Sequence, residues 1–139
     1  MSVATRQVSL DTEGNCDIRD ITGEVSSELR QTGMKAGIVT VFVPGATGGV
    51  TTVEFEDGLL RDLAELFDSV APQGKRYYHD QRWHDGNGHS HVRASLLGPS
   101  LTVPFSDGKL ILGTWQQIVF VDFDVRRRSR RVVLQFIGE

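Results

Sequence analysis

All four histidines of this 139-residue chain fall between positions 79 and 91, as His79, His84, His89 and His91. Imidazole is the commonest side-chain metal ligand and titrates near neutral pH. Such clustering makes a metal or proton-transfer centre the first reading of residues 77–98. In an extended segment, side chains two apart point the same way, so His89-Ser90-His91 can place two imidazoles on one ion. On a helix the two diverge by about 200°. The pair therefore works only if Ser90 is extended or lies just before a helix. His84, across the turn at Asp85-Gly86-Asn87-Gly88, can fold back as a third ligand. Three neutral nitrogens with an open fourth position is the pattern of a catalytic zinc site. The expected set is His84, His89 and His91 around a divalent metal ion, zinc first among the candidates. His79, beside Tyr77 and Tyr78, reads as part of the wall. The plainer alternative is four loop histidines on a polar surface or in core hydrogen bonds.

Other residues can serve the same site. Gly45-Ala46-Thr47-Gly48-Gly49 follows an apolar run, and glycines let backbone N–H groups approach an anion closely. The same residues also suit a tight turn, and no Gly-Lys-Ser/Thr follows to make a phosphate-binding P-loop. Glu54 can ligate, orient an imidazole or act as a general base, or simply face water. Trp115 can stack on a ligand, although filling a core is the simpler expectation. Residues 126–131 hold five arginines in six positions. Such a run can bind phosphates, but between two strands it reads as a solvated hairpin tip or a subunit contact.

The bulk properties bound the answer. The length suits one domain, residues 1–139. A formal net charge of −3 and a pI near 5.8 give no general pull toward nucleic acid or an anionic membrane. No stretch approaches the ~20 apolar residues of a membrane span. One cysteine, Cys16, allows no internal disulfide and fits a reducing cytosol. The expectation is a cytoplasmic, soluble protein.

The positioning elements follow from periodicity. Strands are expected at 3–10, 37–44, 50–55, 101–105, 109–113, 117–125 and 131–137. A helix is expected at 23–31, capped by Thr22. A second, at 57–70, carries an apolar stripe of Leu59, Leu60, Leu63, Leu66, Phe67 and Val70, with Asp57 as its cap and Pro72 as its stop. Residues 75–84 look extended, and 91–97 suit a short helix or a strand. The sum is an α+β domain with a β-sandwich-like core of about seven or eight mostly antiparallel strands and two main helices.

Three stretches then carry a resemblance: N-G-H-S-H-V-R-A-S-L-L-G-P-S at 87–100, D-G-K-L-I-L-G-T-W-Q at 107–116, and the closing R-R-V-V-L-Q-F-I-G-E. They resemble the YjbQ family from the first strand to the last residue. The resemblance implies a compact α+β fold, homotrimers, and a histidine-rich site with a metal ion near the subunit interface. It also implies a secondary thiamine-phosphate synthase activity, which couples a pyrimidine pyrophosphate to a thiazole phosphate and releases pyrophosphate. His91 matches the histidine of the family's A-H-[IL]-K-x-S-L-L-G motif, and Glu54 matches a glutamate that follows a T-T element. Where many relatives read P-H-T-T-A, this chain has Gly45, and Val53 replaces the asparagine before that glutamate. His84 and His89 are extra. On this reading the substrate is a phosphorylated small molecule, with Glu54 and His91 catalytic. Gly45, Thr47, Arg93 and Trp115 would bind substrate or cofactor. The competing reading is a non-catalytic homotrimer that binds a ligand or serves a structural role, with its histidines as an interface or metal-storage site.

Overall fold

A computed structural model describes residues 1–139. In chain order it contains β1 (Ser2–Thr12), β2 (Asp17–Asp20), α1 (Thr22–Thr32), β3 (Gly37–Phe42), β4 (Gly48–Val53) and α2 (Asp57–Val70). Then come α3 (Tyr78–Trp83), α4 (Gly88–Leu97), β5 (Ser100–Ser106), β6 (Lys109–Leu110), β7 (Gln117–Asp122) and β8 (Arg128–Gly138). The fold is α+β, as expected, with eight strands and four helices. No helix is long and apolar enough to cross a membrane.

The strands form two sheets, ordered β1-β8-β3-β5-β6 and β2-β7-β4. Every pairing is antiparallel. Alternation assigns the faces. Val39 and Val41 of β3, and Val132, Leu134 and Phe136 of β8, turn inward and meet Ile118 and Phe120 of β7. Val25 and Leu29 of α1, fully removed from water, close this first core. The other face of β7 carries Val119 and Val121, with Phe123 just beyond. These meet Phe67 of α2 and Ala94 of α4 in a second core. The molecule is thus layered as sheet, sheet, helices. β7 is buried on both faces, which is why its sequence reads as a nearly unbroken apolar run.

Local chemistry adjusted several expectations. The cap of α2 is Glu56, not Asp57; its carboxylate accepts from the N–H groups of Gly58 (2.7 Å) and Leu59 (2.9 Å). Thr22 does not cap α1; its Oγ1 accepts from the Ile118 N–H at 2.8 Å and ties the helix to β7. The apolar stripe of α2 is wider than its contact, leaving Leu66 and Val70 more than half exposed. Trp115 is 73% exposed and fills no core. Residues 78–83, expected to be extended, form α3, which has no buried residue. α4 begins at Gly88, inside the span read as a turn.

One face of the first sheet is uncovered. Val3, Ile137, Ile38 and Pro104 stand side by side on four neighbouring strands in a single register row, all facing water. Phe42 lies further along the same face, 42% exposed.

Candidate functional site

Two short helices position the histidines. α3 ends at His84, which adopts a left-handed conformation (φ 56°) and is exposed. The chain then turns through residues 85–87 into α4. Asp80 joins the two helices, because its Oδ1 accepts the Gly88 N–H at 2.8 Å. That carboxylate supplies the first turn of α4 with an acceptor that the Asn87 side chain does not provide.

Because Ser90 lies inside α4, His89 and His91 diverge as a helix requires. His89 is buried, 2% exposed, on the side facing Tyr77. Burial, together with the neighbouring Arg93 guanidinium, pushes its pKa down. His91 is half-buried and turns the other way, where its ring lies 4.2 Å from that of His79. Burial and then the His79 imidazole push the His91 pKa down as well. The His79 Nδ1 faces Asp80 Oδ1 and Asp85 Oδ1, each at 3.4 Å. His79, Asp80 and Asp85 form a group whose ligand atoms all lie within 4.8 Å of one another. His84, His89 and His91 form no such group. The expected three-histidine set does not assemble, and His79, expected only in the wall, sits at the centre with His91 beside it. A signal for this was present: the sequence carries two His-Asp pairs, 79–80 and 84–85, and Asp85 of the second turns back to the histidine of the first.

The glycine loop does meet this site. Gly45, Ala46 and Gly48 line a cleft of about 170 Å³ together with His91, Ala94, Ser95 and Pro99. Close packing explains the last two glycines. A Cβ at Gly48 would come within 2.8 Å of the buried Phe120 ring, and one at Gly49 within 2.8 Å of the Gly98 carbonyl oxygen. Thr47 is buried and belongs to a polar network behind the loop.

That network is the main feature missed in the sequence. Asp122 and Asp124 are 0% and 1% exposed. Asp122 accepts from Arg130 Nε (2.7 Å) and Nη2 (2.8 Å), from Thr12 Oγ1 (2.5 Å) and from the Asp124 N–H (3.0 Å). Asp124 accepts from Arg128 Nε (3.0 Å) and Nη2 (2.5 Å), and from Thr47 Oγ1 (3.2 Å). Burial alone would raise both carboxylates. Hydrogen bonds from Arg130, Thr12 and the Asp124 amide outweigh it at Asp122. Those from Arg128, the Val125 amide and Asn87 hold Asp124 at about 2. Asn87 Nδ2 reaches Asp124 Oδ1 at 3.3 Å; turned over, the same amide would instead reach Asp85 at 3.0 and 3.2 Å. Asn87 thus stands between the buried pairs and the histidine site and donates to one or the other. The arginine run is not merely a solvated tip, since Arg128 and Arg130 turn inward.

The remaining candidates stand apart. Glu54 follows the end of β4 opposite the glycine loop and is exposed. It lies six residues from Gly48, roughly 20 Å along an extended chain. Arg93 is buried and committed, its Nε donating to the Ala71 carbonyl at 2.9 Å and its Nη2 facing Asp68 at 3.4 Å. Its work is to hold α4 on the end of α2. Trp115 projects into water.

The family comparisons agree with the fold. The profile of the UPF0047 protein YjbQ-like family matches residues 6–139. A UPF0047 protein of Archaeoglobus fulgidus is 40% identical over 129 residues, covering 93% of this chain and 98% of the relative. One from Methanothermobacter thermautotrophicus is 37% identical over 139 residues, covering 100% and 95%. Among solved structures, a YbjQ-like protein of unknown function from Sulfolobus solfataricus superposes with a TM-score of 0.93 at 30% identity, covering 99% of each chain. A hypothetical protein from Aeropyrum pernix gives 0.90 at 34% identity, covering 98% and 99%. The chain belongs to the YjbQ (UPF0047) family, a family of uncharacterised function.

Proposed function

We propose that the protein is a metal-assisted enzyme acting on a phosphorylated small molecule, with thiamine-phosphate synthase as a secondary activity. The observation that carries this reading is the His79, Asp80 and Asp85 group, with His91 stacked beside it and a glycine-loop cleft alongside. One nitrogen and two carboxylates make a mixed donor set that suits zinc or another borderline divalent ion. When bound there, such an ion would neutralise charge on a phosphoryl or leaving pyrophosphate group. His79 and Asp85 would hold it. Asp80, already accepting from Gly88, would also orient the His79 ring. His91, with its lowered pKa, is largely neutral at pH 7 and can accept a proton from a bound substrate.

The test is metal-dependent stabilisation of protein purified without an affinity tag. Zinc at 100 times its dissociation constant adds about 2.7 kcal/mol, roughly 8–10 °C for a domain of this size. His79→Ala is expected to lose that increment and His84→Ala to keep it. No stabilisation by any divalent ion, or equal behaviour of the two variants, removes the metal centre.

A homotrimer is part of the same proposal. The uncovered row Val3, Ile137, Ile38 and Pro104, with Phe42 nearby, supports docking of further copies of this chain on the first sheet. The same row favours the second reading equally, a non-catalytic trimer whose histidines store metal. Turnover of a phosphorylated substrate separates the two.

A further inference from the structure

We infer that Arg130, held against the glycine loop, forms an oxyanion subsite together with the Ala46 and Thr47 amides, and that it takes a phosphoryl group. The inference rests on the proposed function for the identity of the substrate, but not for the existence of the subsite.

Three observations carry it. The Arg130 guanidinium is clamped: Nε and Nη2 fork onto Asp122, and Nη2 also donates to Thr47 Oγ1 at 2.7 Å. Its side chain is 13% exposed. The third nitrogen, Nη1, has no acceptor in the protein. It is not sealed from water, because Ser90 Oγ is the one fully buried side-chain polar atom without a partner. A fixed guanidinium with one free, solvent-reaching edge pays little ordering entropy when it binds an anion.

Second, the loop beside it offers donors. The N–H groups of Ala46 and Thr47 donate to no protein acceptor, whereas the flanking Gly45 N–H is satisfied by the Val43 carbonyl at 3.0 Å. Successive unpaired amides in a turn suit an anion.

Third, Gly45 keeps the edge open. Its backbone is not in the left-handed region. A Cβ there would meet Arg130 Nη1 at 3.5 Å, an ordinary contact, and nothing else within 4 Å. Neither conformation nor packing demands glycine at this position. What the missing side chain does is leave the cationic nitrogen uncovered. Gly45 and Ala46 also line the cleft with His91, so an anion on Arg130 would lie at the edge of the proposed reaction site.

The experiment is titration of metal-free wild-type protein with inorganic phosphate, followed by ³¹P NMR and calorimetry. Gly45→Leu is designed to cover Nη1 and Gly45→Asp to supply an internal anion to it; the Cβ of either meets only Nη1 within 4 Å. Saturable phosphate binding is expected in the wild type. Both variants should weaken it at least about tenfold, the loss of one hydrogen bond to a charged group, with melting temperatures essentially unchanged. Arg130→Lys, which keeps the charge and loses the fork, should weaken it similarly where it folds. The inference is overturned by no saturable binding at tens of millimolar phosphate, or by equal affinity in wild type and both glycine variants. Zinc binding on the same preparations separates the two claims. Phosphate binding in His79→Ala without zinc leaves this subsite standing if the metal centre fails. Zinc binding with phosphate affinity insensitive to residue 45 removes the subsite alone.

Discussion

Replacing Arg130 with methionine removes the largest charge-assisted element of the buried network while keeping much of the side-chain volume. Asp122, at 0% exposure, would keep Thr12 Oγ1 and the Asp124 N–H and lose two short donors at 2.7 and 2.8 Å. Two hydrogen bonds to a charged group contribute roughly 1.5–3 kcal/mol each, and breaking one half of a buried pair costs about 3–5 kcal/mol. The expected loss at pH 7 is about 4 kcal/mol, or roughly 12–16 °C in melting temperature for a domain of this length. The sign of the pH dependence follows from the two folded states. In the wild type the Asp122 pKa is lowered, so its stabilisation is present above the unfolded value near 4 and is lost as pH falls through the folded value. Asp124 behaves likewise; the gap between 3.8 and about 2 corresponds to roughly 2 kcal/mol. In Arg130→Met, burial dominates and Asp122 moves up, so the variant binds its proton more tightly when folded and gains relative stability as pH falls. Melts followed by circular dichroism at neutral pH and near pH 4.5 should therefore show the gap narrowing in acid. Asp122→Asn combined with Arg130→Met should recover most of the loss, because no unpaired charge remains at position 122 while Asp124 keeps Arg128. A gap below about 1 kcal/mol at pH 7, or one independent of pH, would refute this account of the network.

Three other outcomes follow from single residues. Ser90 Oγ is fully buried without a partner, so Ser90→Ala should stabilise the protein by about 1 kcal/mol in urea titration; a destabilisation would mean that a bound water satisfies the hydroxyl. Ile137→Asp places a charge in the uncovered row of the first sheet; if the proposed homotrimer docks there, sedimentation should show the variant as a monomer with the fold retained, and equal sedimentation coefficients for variant and wild type would remove that face as the interface. Glu54→Gln, at the far end of β4, should leave zinc affinity measured by calorimetry within about twofold, a difference well under 1 kcal/mol, and a larger loss would mean that Glu54 reaches the centre.

What the sequence disclosed was what is periodic. β3, α2 and β7 are long repeats of apolar residues at spacing two or 3.6, or continuous runs, and burial of their faces does not depend on detail elsewhere. α3 offered no such signal. Six residues bearing Tyr78 and Trp83 have weak helix preference and include no buried residue; what connects them to α4 is their own Asp80 carboxylate, which accepts from the Gly88 N–H in that helix's first turn. Without α3, His79 had no reason to face His91. The start of α4 was hidden in the same way, because Asp-Gly-Asn-Gly also spells a turn. The inward arginines were more legible than they looked. Positions 122 and 130, and 124 and 128, are each symmetric about Arg126, so a chain that doubles back there brings them together, here as side-chain pairs between the two sheets. Read as composition, five arginines suggest a charged surface; read as pairs, Asp-x-Asp followed by Arg-x-Arg is a buried set of ion pairs.

The two halves of the site differ in how firmly they are held. On one side, the loop at 45–48 is anchored from behind by Thr47, by Asp122 and Asp124 with their arginines, and through Asn87 to the start of α4. Carboxylates with lowered pKa and no exposure make that side rigid between neutral pH and the acid limit. On the other side, His79, Asp80 and Asp85 ride on a two-turn helix with no buried residue and on an exposed turn. Elements with so little burial open at low free-energy cost. A ligand that joins His79 and Asp85 to the cleft at His91 must therefore spend part of its binding energy ordering α3, and it would gain the enclosure that a phosphorylated substrate needs. The fixed half would set where the phosphoryl group sits, and the soft half would report that it has arrived.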